Sequence, residues 1–262
     1  MQSALGWGDY GGQMLAVAEA EIRKLRHDPV ELMTRAIQPV LWLLIFGQVM
    51  NRLRAMPTGG IPYVDFLAPG ILAQSVMFIA IFYGLSAIWE RDSGVLVKYL
   101  VSPTPRAVLV VGKALGGGVR SLSQAAVIYV LTLLLGIPLR LQVLPILLLL
   151  LFTLWGSAVF ATFSLVIACL VKTRERFMGI GQLLTMPFFF ASNAIYPVTL
   201  MPRWLAVLAR MNPLSYLVDA LRTLMLAGWP STFGLVKDFS VLTGVLVVLI
   251  GIAARLYPVI LG

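Results

Sequence analysis

WERDSGVLVKYLVSPTPRAVLVVGKAL, residues 89–115, separates two long apolar runs with a charged knot, a short apolar patch and two prolines. The flanking runs, about residues 64 to 89 and 107 to 135, each supply the roughly 20 apolar residues that cross about 30 Å of hydrocarbon. Four further runs qualify, at about 30 to 50, 144 to 171, 176 to 196 and 236 to 256. The 262 residues are 60% hydrophobic and 12% charged, outside the range of soluble domains. The expected fold is therefore all-α: a polytopic membrane protein with six transmembrane helices.

The first run opens at HDPVE, where Asp28 suits a helix cap, Pro29 the first helical position and Glu31 a capping box. Pro39 is expected to bend this helix. Residues 1–28 form a polar segment ahead of a six-span domain, 29–262. Within the segment, MLAVAEAEIRKLR puts Leu15, Ala18, Ile22 and Leu25 on one face. Such a helix lies on the membrane surface or packs on the protein's own loops. These first 28 residues do not resemble a signal peptide.

The 20 Lys and Arg against 11 Asp and Glu are scattered between oily runs, without the basic stripe that nucleic acid requires, so no nucleic-acid partner is expected. Placing the N-terminus inside leaves twelve Lys and Arg on the cytoplasmic side and seven outside, so both termini are expected in the cytoplasm. Cys169, the single cysteine, reads as a small buried hydrophobe, and His27, the single histidine, has no companion ligand. No metal site is expected.

Between spans two and three, residues 93–101 are expected to form a helix about 13 Å long, with Val95, Leu96, Tyr99 and Leu100 on one side. Ser102, Pro103 and Pro105 then end it. Its apolar face packs against either the protein's own helices or a second protein. Glu90, Arg91 and Asp92 either fix the start of that helix by charge-assisted hydrogen bonds or form a solvated cap, while Gly94 permits close approach.

In the third span, GKALGGGVRSLSQAAV, the residues Arg106, Lys113 and Arg120 recur every seven positions along nearly one face. Arg106 and Lys113 can snorkel to the interface. Arg120 is deep enough to require protein, water or an anionic headgroup. Lys113, Arg120 and Gln124 are candidates for a substrate route or dimer seam, the alternative being satisfaction inside the subunit. Between spans five and six, MPRWLAVLARMNPLSYLVDALRTLMLAG holds two helices too short to cross, which re-enter the bilayer or lie at the interface. Pro202 opens the first, Asn212 and Pro213 the second, and Gly228 stops it. Asp219 and Arg222, three apart, can pair on one face.

Hydrolysis of ATP requires a phosphate cradle such as G-x-x-x-x-G-K-[ST], and VGKALGG, residues 111–117, has Ala114 after Gly-Lys. Neither a paired carboxylate set nor an H-E-x-x-H helix is evident in the spans, so no catalytic residues are assigned.

YVDFLAPGIL leading to WERDSG, then LVSPTPRAVLVVGKAL, MPRWL and NPLSYLVDALR, occur in the order and spacing of the type-two ABC exporter permeases. The sequence resembles that family, which includes the daunorubicin, Nod-factor and polysaccharide export subunits, over nearly its whole length. GVLVKYL departs from the Thr and Glu that many members carry after the glycine, at the surface that meets the partner. The resemblance implies a coupling helix near 93–101 seated on a separate ATPase subunit, which would bind ATP and Mg while this chain binds no cofactor. It further implies a second permease copy, identical or paralogous, and a place in a bacterial inner membrane. Drug, lipid, glycolipid and polysaccharide cargo all fit. An ion-driven secondary transporter and a non-transporting assembly subunit are the competing classes.

Overall fold

The computed structural model describes residues 37–53, 56–58, 60–94, 106–171 and 173–256, with residues 106–108 described by their backbone alone. The proposed surface helix, the boundary at residue 28 and most of the 93–101 segment lie outside the described residues. Among those described, regular structure is helical apart from one bridge between Leu139 and Leu226.

Helix α1 covers residues 37–53 and loosens into a π-helical stretch over Trp42–Gly47. The irregularity expected at Pro39 thus falls just beyond it, where the ladder widens. α2 is Tyr63–Tyr83 and α3 is Leu85–Asp92, offset at Gly84. α4 is Arg106–Leu134, α5 Val143–Leu170 and α6 Arg174–Phe190. The short α7, Arg203–Met211, and α8, Pro213–Met225, precede α9, Leu235–Leu256.

Among the described residues, four stretches are long and apolar enough to span a membrane: Tyr63–Asp92, Leu109–Leu134, Val143–Leu170 and Leu235–Leu256. They match four of the six expected crossings. Of the first expected crossing only residues 37 onward are described. The expected fifth needs correction at its far end, because α6 stops at Phe190 and residues 191–196 turn. Its 17 residues stand at the short end of the roughly 17–25 that cross a bilayer.

α2 is buried without a break from Tyr63 to Met77, as expected of a helix that is apolar all round. It forms the centre with α5, and both touch α4 and α8. α9 is peripheral. Its buried residues Asp238, Leu242, Leu246 and Ala253 form one stripe, while Val236, Val247, Val248 and Ile252 are exposed.

In lipid, apolar burial alone gives little preference for one helix partner over another, so close packing and buried hydrogen bonds must provide it. Gly70 shows the first device. A Cβ there would collide with the carbonyl oxygen of Ala194, so only glycine lets that backbone lie against α2. The second device joins Ser121 of α4 to Ser157 of α5 at 2.8 Å, and Trp155 Nε1 of α5 to Thr243 Oγ1 of α9 at 2.9 Å.

Two asparagines satisfy three helix ends. Asn51 Oδ1, at the end of α1, accepts from Tyr63 N at 2.9 Å, supplying the cap that Pro62 cannot. Asn212 caps α8 as expected, with Oδ1 accepting from Leu214 N at 2.9 Å. Its Nδ2 meanwhile donates to Phe188 O and Ala191 O, at 2.7 and 2.8 Å, closing the end of α6. α8 stops at Met225, before Gly228, because Leu226 is extended. There Arg140 N donates to Met225 O at 2.8 Å, and Gly228 takes a positive φ of 75° in the turn beyond.

Candidate functional site

Three polar groupings stand out in this apolar fold: one at the end of the bundle holding Glu90, one at mid-depth, and one at the end holding Asn212.

At the Glu90 end, Gly84 lets α3 leave the line of α2, since a Cβ there would strike Ser164 Oγ, which itself donates to Ile81 O. α3 carries the charged knot. Glu90 Oε2 accepts from Lys113 Nζ of α4 at 2.5 Å. Asp92 bonds Arg91 at 3.0 Å and Arg174 of α6 at 2.9 Å. Arg91 also donates to Val171 O at 3.4 Å, and the Arg174 guanidinium lies 3.7 Å from the centre of the Trp89 ring. α3 is therefore tied to the first part of α4, the end of α5 and the start of α6.

These bonds place Lys113 with Glu90 rather than with Gln124. The chain leaves α3 through Ser93, whose hydroxyl donates to Glu90 O at 3.2 Å, and Gly94, whose φ of 72° favours glycine. Leu96, Tyr99, Leu100, Ser102 and Pro103 lie outside the described residues. The periodicity of α6 does not single out Arg174, and in the sequence Trp89 is one residue of the knot with no partner nearby.

At mid-depth, Arg120 lies over the Tyr83 ring at 5.5 Å. One turn further along α4, Gln124 is 1% exposed and borders a cavity of about 230 Å³. Gln38 and Pro39 of α1 and Gln74, Ser75, Phe78 and Ile79 of α2 complete its wall. The stripe Lys113, Arg120, Gln124 thus faces α2 and α3 of the same subunit. A signal for the missed Gln74 was present in PGILAQSVMFIA, where an amide interrupts an apolar run.

At the Asn212 end, Asp219 and Arg222 are not bonded to each other. Arg222 is 2% exposed and donates to Asn193 O at 2.9 Å, to Phe66 O at 3.2 Å and to Ala194 O at 3.4 Å. Its guanidinium also lies 3.8 Å from the Phe66 ring centre. Asp219 accepts from Ser231 Oγ at 2.6 Å, Thr232 N at 2.9 Å and Phe233 N at 3.0 Å. The expected local pair is replaced by two longer-range sets, because backbone groups freed at turns reach each charge first. Asp238 of α9 is fully buried and close enough to Asp219 for their carboxyls to interact. A carboxyl pair is thus present, and the expectation, which concerned pairs within the spans, is not touched by it. Its members come from separate elements, and only one is on a span.

Among the described residues no three His, Cys, Asp or Glu side chains converge as a metal site.

The family profile described as ABC-2 type transporter matches residues 12–226. The chain is 29% identical over 207 residues to ycf38 of Cyanophora paradoxa, covering 77% of this chain and 70% of that one. It is 28% identical over 204 residues to the daunorubicin resistance ABC transporter permease protein DrrB1 of Streptomyces coeruleorubidus, covering 76% and 70%. Nodulation protein J of Rhizobium leguminosarum bv. trifolii is 28% identical over 197 residues, 74% of each chain.

Proposed function

The chain belongs to the ABC-2 type transporter family and is a membrane transport permease subunit; we propose that it exports an amphipathic or hydrophobic cargo using the ATP hydrolysis of a separate ATPase subunit. In this reading ATP and Mg are held by the partner, and the Glu90 end faces the cytoplasm of a bacterial inner membrane. Residues 93–101 dock in the ATPase, and two permease copies enclose the route.

The observation that carries the reading is the bonding of α3. Glu90–Lys113 and Asp92–Arg174 join the segment leading into 93–101 to two neighbouring helices. A push received beyond Gly94 would therefore reach α4 and α6 as well as α2. A flexible, unattached loop would dissipate it.

Gly94→Trp and Leu96→Asp are expected to reduce co-purification of the ATPase severalfold while leaving membrane insertion intact. Unchanged co-purification and transport in both variants would remove the docking role. In vesicles, transport of daunorubicin or a labelled lipid should require both the added ATPase and ATP. Transport driven by a proton or sodium gradient alone would favour a secondary transporter, and no transport of any cargo an assembly subunit.

A further inference from the structure

The mid-depth cavity is assembled from three helices distant in sequence. Gln38 comes from α1, Gln74 and Ser75 from α2, and Gln124 from α4. Gln74 is eleven positions from the start of α2, about 16 Å along its axis, and Gln124 is ten positions from the end of α4, about 15 Å along that axis. Both amides therefore lie near the middle of a layer about 30 Å thick. Polar side chains at that depth are costly unless they bond protein, water or cargo. Three amides from three helices border one space of about 230 Å³.

Size and charge narrow the occupant. The space is open on one side, so it holds part of a molecule and leaves room for the remainder to continue outside it. At about 30 Å³ per water it equals some seven or eight waters, enough for one polar ring or a short polyol. None of the described residues lining it is charged. Amide groups both donate and accept, while the Ser75 hydroxyl, which donates to Ile71 O at 2.9 Å, can still accept, so together they match a group that donates and accepts and provide no counter-charge for an ion. Phe78 and Ile79 add an apolar wall on which a hydrocarbon tail can continue.

We infer that the cavity bounded by Gln38, Gln74, Ser75 and Gln124 binds the uncharged, hydroxyl- or amide-bearing head group of an amphipathic cargo. The inference rests on the export reading for its physiological meaning, though not for the binding itself. Arg120, one turn from Gln124 with its guanidinium over Tyr83, makes an anionic head group the rival outcome.

The test measures binding without requiring transport. In the full-length chain in lipid nanodiscs, Cys169→Ala removes the native thiol and Ser75→Cys places one in the cavity wall. Octyl glucoside below its critical micelle concentration should slow N-ethylmaleimide labelling of that thiol by about fivefold. Octyl sulfate and octyltrimethylammonium, with the same tail, should leave the rate unchanged. Adding Gln74→Leu and Gln124→Leu should weaken the glucoside's half-protecting concentration about tenfold, as expected from losing two amide partners. Gln74→Asn, which keeps an amide, should retain partial protection. Protection by the charged amphiphiles equal to that by the glucoside, protection untouched by the leucine pair, or no protection by any of the three would each overturn the inference. Lost protection with ATP-dependent transport intact defeats this site alone, and intact protection without transport defeats the export reading alone.

Discussion

Charge is handled in opposite ways at the two ends of the bundle. At the Asn212 end, Arg222 is 2% exposed and Asp219 fully buried, and each is bonded chiefly to backbone groups. At the Glu90 end, Glu90, Lys113, Asp92 and Arg174 are bonded to one another while retaining contact with solvent. A buried charge held by carbonyls or amides cannot leave without exposing those groups unpaired, which is strongly unfavourable. A solvent-exposed ion pair can exchange partners with water at little cost. The first arrangement makes a rigid plug, and the second a joint whose single pairs can exchange while the set of contacts together keeps α3 attached to α4 and α6.

The sharpest way to break this contrast is Arg222→Met. It strands the carbonyls of Phe66, Asn193 and Ala194, and should destabilise the fold by about 3–5 kcal/mol in denaturant unfolding of the purified chain. A loss no greater than that for Lys113→Met would erase the distinction between the ends. Next is Asp219→Asn, expected to cost roughly 1.5–3 kcal/mol because one of its faces would present N–H to donors. Asp238→Asn should cost less than about 1 kcal/mol, since Asp238 accepts from no donor among the described residues and an amide N–H can meet the Asp219 carboxyl in place of the acid's proton. If the order of those two were reversed, Asp219 would not be the organising acid. The smallest effect belongs to Glu90 and Lys113. A double-mutant cycle using Glu90→Gln and Lys113→Met should give a coupling of about 0.2–1 kcal/mol that shrinks in high salt. A salt-independent coupling of several kcal/mol would mean that this end is as rigid as the other.

Much of the scaffold was legible from one-dimensional pattern. The apolar runs that became α2 with α3, α4, α5 and α9 were long enough to identify directly, and Asn212–Pro213 marked the start of α8 correctly. Two local expectations failed instructively. Asp219 and Arg222 have the spacing of a helical pair, yet turns at 193–194 and 231–233 offered better-placed partners. α6 ended early because Asn212, 24 residues from Phe188, supplies donors for its last carbonyls. Neither partner set is visible in a window of a few residues.

The polar groupings divide in the same way. Glu90, Arg91 and Asp92 stood out because charge is rare in this chain, but their partners Lys113 and Arg174 are 23 and 82 residues away. Gln124 was noticed beside Arg120, whereas Gln38 and Gln74 became meaningful only once three helices enclosed a common space.

What the sequence determined by itself was the solvent in which each segment lives and where segments begin, because the thickness of hydrocarbon and the chemistry of caps act along a single element. Tertiary structure alone decided which charge meets which partner and which amides share a cavity. Lipid is nearly indifferent to the rotation of an apolar helix, so those matches depend on close packing and directional hydrogen bonds between elements far apart in the chain.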